Sequence, residues 1–187
     1  NFKFGFYFVD LYLITFWDYL QMGLLAFFVH ALVNNKFVGH FVGLGIWIMM
    51  FVLRNFMDFG YNLGFYSYKP GYLISDMNNF GHFAQPLFWF NLYWMAFGFI
   101  LLFVAALLWS RGAEQSFKTR WQNLRRRWNP RFSLGILALA AVWLGSGSFI
   151  YYNVSVVNKH YNADEVKKIQ SDYEKRYKQY EYLAQPK

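Results

Sequence analysis

Apolar residues in this chain come in long runs rather than in the alternating or amphipathic stretches of a water-soluble protein. The clearest run, Leu87–Trp109, carries no charge, and neither does Phe132–Tyr152. A third, Phe37–Leu53, is closed by Arg54, and a shorter one, Trp17–Val33, is interrupted by Asp18 near one end. A helix rising 1.5 Å per residue needs about 20 apolar residues to cross about 30 Å of hydrocarbon. The pattern therefore predicts an all-α, polytopic transmembrane helical bundle over residues 17–152, with about four spans near 17–33, 37–54, 87–109 and 132–152. Residues 1–16 read as an interfacial segment or as the end of a preceding span.

The connections differ in character. Residues 55–86 are rich in Gly, Tyr, Phe and Asn, which suits a loop lying where rings are half wet, with room for a short interfacial helix. A loop of this length is commonly functional. Residues 153–187 predict an amphipathic C-terminal helix. Asn162 with Glu165 forms a capping-box start, and Val166, Ile169, Tyr173, Tyr177, Tyr180 and Leu183 recur at three- or four-residue spacing. Such a helix is either a water-exposed stalk leading away from the last span or a terminal helix lying on its own protein.

Composition reinforces the pattern. Hydrophobic residues make up 57% and aromatic ones 25%, while charged residues reach only 15%. Soluble domains carry roughly 25% charged residues, so the surplus apolar surface calls for lipid as its solvent. The chain has no cysteine, which excludes disulfides and Cys-ligated zinc. It shows no cleavable signal peptide and begins without Met, and it reads as the ordered part of a longer polypeptide.

The net charge of +8 is concentrated in one connection: Arg111–Arg131 holds seven Arg/Lys against one Glu. When spans alternate, this loop (110–131) falls on the same side as the short "NNK" turn, and basic loops stay cytoplasmic. Loop 55–86 and the tail then lie outside. A nucleic-acid site would need its basic patch on a folded domain with base-reading or stacking elements, and nucleic acid is not an expected partner. Arg120, Arg125, Arg126 and Arg127 are instead candidates for contact with a cytoplasmic partner or with anionic lipid.

Motifs for chemistry are missing. No His-Glu-x-x-His, phosphate-cradling Gly-Lys-Ser/Thr loop or Gly-x-Ser-x-Gly elbow occurs, so no catalytic, cofactor-binding or metal residue is expected. Gly39 with Gly43, and Gly145 with Gly147, are expected to let helices approach closely. Asp18, His30, His40, Arg54 and Asn91 are the candidate polar membrane residues, since each is costly in lipid without a partner. Asp18 and Arg54 sit near one boundary and either pair or reach headgroups. His30 and His40 lie near the other, and Asn91 reads as glue between helices.

The strings "FFVHALVNNKFVGHFV", "SDMNNFGHFAQPLFWFNLYW" and "QSDYEKRYKQYEYLAQPK" together resemble large membrane proteins of Bacteroidetes-type bacteria. In these an ABC-type export permease is fused to an aminopeptidase N-like zinc peptidase. The resemblance is collinear over nearly the whole chain, but the family's zinc and substrate-amine motifs are absent here. It implies an inner-membrane permease segment anchoring an extracytoplasmic peptidase domain, with zinc held only in that domain. It also implies ATP used only through a partner ATPase, and a second permease or homodimer. The alternative is a non-transporting scaffold subunit of a larger membrane complex. Polar residues such as His40, Asn91 and Arg54 converging on one cavity would favour transport; apolar packing between the spans would favour the scaffold.

Overall fold

The computed structural model of the chain describes residues 4–8, 12, 14–33, 35–56, 62–73, 80–109, 117–158, 161 and 163–180. Every regular element among them is helical: α1 (Phe4–Phe8), α2 (Phe16–Val33), α3 (Lys36–Phe56), α4 (Ala84–Leu108), α5 (Phe117–Arg127), α6 (Pro130–Tyr151) and α7 (Ala163–Tyr177). Four of these, α2, α3, α4 and α6, are long and apolar enough to cross a membrane.

The helix boundaries follow from local chemistry. Asn35 caps α3, its Oδ1 accepting from the backbone N–H of Phe37 at 3.0 Å and Val38 at 3.3 Å. Asn129 does the same for α6, accepting from Arg131 at 3.2 Å, and Pro130 occupies the first helical position, where no N–H is needed. Pro86 is tolerated for the same reason in the first turn of α4, which lets that helix begin at Ala84, earlier than the uncharged run suggests. At its far end α6 widens into a π turn, Tyr152–Val157. There Asn153 Nδ2 donates to the carbonyl of Phe149 at 2.8 Å, and Asn158 Nδ2 to that of Asn153 at 2.9 Å, a second bond on a carbonyl that the Asn158 backbone N–H also reaches at 3.1 Å.

In space the helices stand in the order α3, α2, α4, α6, with α4 packed on both α2 and α6. It is the most buried of the four and α3 the least. A helix that is apolar all round belongs in the centre, and α4 buries Leu87, Phe90, Tyr93, Trp94, Met95 and Ala105 on several faces. The core joins Phe90, Tyr93 and Trp94 to Ile150 of α6 and to Tyr66 from the α3–α4 connection. Tyr93 meets Trp94 edge-on at 4.6 Å and stacks with Trp143 at 5.6 Å. Phe41, Leu44, Trp47 and Phe51 on α3, and Leu134 and Leu137 on α6, stay exposed, as lipid-facing side chains must.

The two ends of the bundle differ. Phe27 of α2 stacks on Trp109 after α4 at 5.2 Å, which brings the α2–α3 turn and the arginine-rich α5 to one end. The other end carries the α3–α4 connection and the start of α7. The apolar face of α7 (Val166, Ile169, Tyr173, Tyr177) is exposed, so the helix does not lie on the bundle. Its Tyr173 and Tyr177 rings pair at 4.4 Å, as their spacing predicts. Asn162 and Leu183 lie outside the described residues.

Candidate functional site

The tail end holds the densest polar cluster. The segment 62–73 folds onto the helix ends at the tail end of the bundle. Its pivot is Tyr66, 9% exposed, whose hydroxyl donates to the backbone carbonyl of Gln21 at 2.7 Å. Burial pushes this phenol well above its ordinary range, so it remains a donor. Trp94 Nε1 donates to the carbonyl of Tyr68 at 2.9 Å. The turn between them hydrogen-bonds Tyr68 N–H to the carbonyl of Phe65 and places Ser67 at φ 61°, the left-handed region that a side chain disfavours.

Lys69 follows. Its ammonium reaches Asp18 at 2.5 Å and the carbonyl of Ile14 at 3.3 Å, with only 7% of the side chain exposed. An ammonium this enclosed needs its carboxylate, because an unpaired charge there would cost several kcal/mol, on the order of 3–5. Arg54 lies flat over the Tyr68 ring, its guanidinium carbon 3.8 Å from the centroid, and donates to that residue's hydroxyl at 2.6 Å. Asp18 and Arg54 thus share one crevice of about 430 Å³ with Ser67 and Lys69, yet each takes a partner from the loop.

Within the bundle, Gln21 is fully buried and donates to Asn91 Oδ1 at 3.3 Å, tying α2 to α4. Asn91 also lines an apolar groove of about 600 Å³ that runs along α4, with Ile14 and Trp17 on its other side. Ser146 is buried too, and its hydroxyl folds back on the carbonyls of Val142 and Trp143 of its own helix.

At the basic end His30 and His40 meet edge-to-face at 4.6 Å. His30 Nδ1 donates to the carbonyl of Ala26 at 2.8 Å, and the ring lies over Gly39, where an added Cβ would come within 2.9 Å of it. Arg127 donates to the carbonyl of Trp109 at 2.5 Å, closing the C-terminus of α4, whereas Arg125 and Arg126 are exposed. The side chain of Arg120 lies outside the described residues.

The glycines sort by contact. Gly39 and Gly147 are close-approach positions, the latter because an added Cβ would sit 2.8 Å from Tyr93 Cε2. Gly43 and Gly145 meet nothing within 4 Å, which corrects their expected packing role. Gly145 is turned about 200° around α6 from Gly147, whereas Gly43 lies one turn from Gly39 on the same side of α3, where no side chain of α2 reaches it. Gly98, where a Cβ would meet Leu24 at 2.8 Å and the Tyr66 hydroxyl at 3.1 Å, was missed because it stands alone in an apolar run. Gln21, Tyr66 and Lys69 were missed as well. A Gln inside an apolar run was the one available signal.

Among the described residues no three His, Cys, Asp or Glu side chains gather as a metal site would require. His40, Asn91 and Arg54 stand apart, at the basic end, between α2 and α4, and in the tail-end crevice respectively. No family model matches the chain, and neither a characterised protein nor a solved structure matches it.

Proposed function

We propose that this chain is a membrane scaffold, a four-helix anchor that presents α7 on one side of the bilayer and the arginine-rich α5 on the other. The observation that carries this reading is the separation of the polar groups. Gln21 with Asn91, His30 with His40, and Arg54 with Tyr68 are three local pairings in different places. Between them the interior is closed by Tyr93, Trp94, Phe97 and Trp143. A hydrophilic solute crossing this bundle would have no polar lining to replace its water. By the rule that basic segments stay inside, α5 is cytoplasmic and α7 extracytoplasmic. The resemblance to permease–peptidase fusions supplies the cargo: a zinc aminopeptidase domain held outside an inner membrane.

Two measurements test the reading. The chain has no cysteine, so Tyr173→Cys and Arg125→Cys can each be labelled alone in intact cells. An impermeant maleimide is expected to reach the first and not the second; the reverse pattern overturns the orientation. Purification of the native assembly in mild detergent tests the role itself. An ATP-hydrolysing chain recovered in stoichiometric amount, with a rate altered by neutralising the exposed Arg125 and Arg126, would replace the scaffold by an ABC-type permease.

A further inference from the structure

We propose that the tail-end crevice binds the phosphate of an anionic phospholipid, with one acyl chain laid in the apolar groove along α4. This assignment does not depend on whether the chain is a scaffold or a permease.

The crevice is built for an oxyanion. Arg54 spends one N–H on the Tyr68 hydroxyl and rests its face on that ring, which leaves the rest of a planar, pre-oriented donor edge. Among the described residues it has no carboxylate in ion-pair range, since Asp18 is taken by Lys69. Arg54 and Lys69 against Asp18 leave the site net positive, and the Ser67 hydroxyl adds a neutral donor. Arg54 also stands in the last turn of a membrane-length helix, at the depth where lipid phosphates lie.

The groove supplies the second half. Its volume of about 600 Å³ is bounded by Ile14, Trp17, Leu87, Phe88, Leu92 and Phe99. Ile14 gives its carbonyl to Lys69 and its side chain to the groove, and Tyr72 of the crevice packs on Phe80 of the groove at 5.9 Å. Ile14 and the Tyr72–Phe80 contact thus stand between the crevice and this groove, a second, apolar surface for the acyl chain of a lipid seated beside Arg54. A choline headgroup would bring a cation towards Arg54 and Lys69, whereas phosphoglycerol would not.

The test is native mass spectrometry of the whole protein in neutral detergent. It is offered equimolar phosphatidylglycerol and phosphatidylcholine of the same chains, with inorganic phosphate as competitor. Retention of phosphatidylglycerol is expected to be about tenfold higher, because the two lipids offer the same phosphate and only choline sets a cation against Arg54 and Lys69. Arg54→Gln should bring the ratio close to unity. Should Arg54→Gln not fold, Arg54→Lys, which keeps the charge and loses the planar edge, should lower the ratio in part. Equal retention of the two lipids, or a ratio unmoved by these variants, overturns the proposal. Displacement of the lipid by millimolar inorganic phosphate would make the crevice a free-phosphate site and overturn the lipid assignment.

Discussion

Gly145 and Gly147 stand two residues apart in the same apolar stretch of α6, and alanine at each should move stability in opposite directions. Both substitutions gain helix propensity, about 1 kcal/mol for Gly to Ala in a helix interior. At Gly145 nothing lies within 4 Å of the new methyl, so the gain stands alone. At Gly147 the methyl would sit 2.8 Å from Tyr93 Cε2 and 3.3 Å from Cδ2. The Tyr93 ring is held by Trp94 edge-on and by stacking with Trp143, so a retreat into the adjoining cavity of about 320 Å³ gives up those contacts. Overpacking of this kind costs about 1–3 kcal/mol. Gly147→Ala should therefore be neutral to about 2 kcal/mol destabilising, the overpacking cost less the propensity gain. Gly145→Ala should stabilise by about 1 kcal/mol. Unfolding in dodecyl maltoside by titration with sodium dodecyl sulfate, followed by tryptophan fluorescence, measures both. Equal shifts for the two variants would refute the packing of α6 on α4 described here.

Tyr66→Phe should cost about 1 kcal/mol by deleting the bond to Gln21. Because burial raises this phenol's pKa, its contribution is complete below about pH 10 and is lost as pH climbs through the raised value, so unfolding at alkaline pH should be less pH-dependent in the variant. Ser67→Gly should stabilise by about 1 kcal/mol by relieving the left-handed backbone, and Ser67→Val should do the opposite; paired melting curves decide it. Arg127→Gln should loosen the end of α4 by about 1 kcal/mol, read as faster amide exchange at Trp109, whereas Arg125→Gln should leave that exchange unchanged.

Much of the architecture was legible because spans are written in a simple code. Runs without charge mark α4 and α6, and the caps Asn35 and Asn129 sit directly before the helices they start. The site was less legible. Small-xxx-small spacing cannot say which glycine touches a neighbour: Gly39 and Gly43 lie one turn apart on the same side of α3, yet only Gly39 meets the His30 ring. Tyrosine suits both a headgroup belt and a half-polar core, so the α3–α4 connection read as interfacial without showing which ring is buried. Its docking on the helix ends depends on Tyr66 finding the Gln21 carbonyl and Trp94 finding that of Tyr68. Those are contacts across 45 and 26 positions that no local pattern encodes. The partner of Asp18 was open for the same reason.

The tie between Gln21 and Asn91 has a bearing on how the chain is assembled. Synthesis delivers α2 and α3 before α4, so for a time the glutamine amide has only hydrocarbon or a passing water for company. The early hairpin is thus incomplete by design of its own sequence, and entry of α4 beside it gives the Gln21 amide N–H an acceptor in Asn91 Oδ1. Leucine at position 21 would let the hairpin rest contented in lipid and remove the chemical reason for α4 to settle at its side.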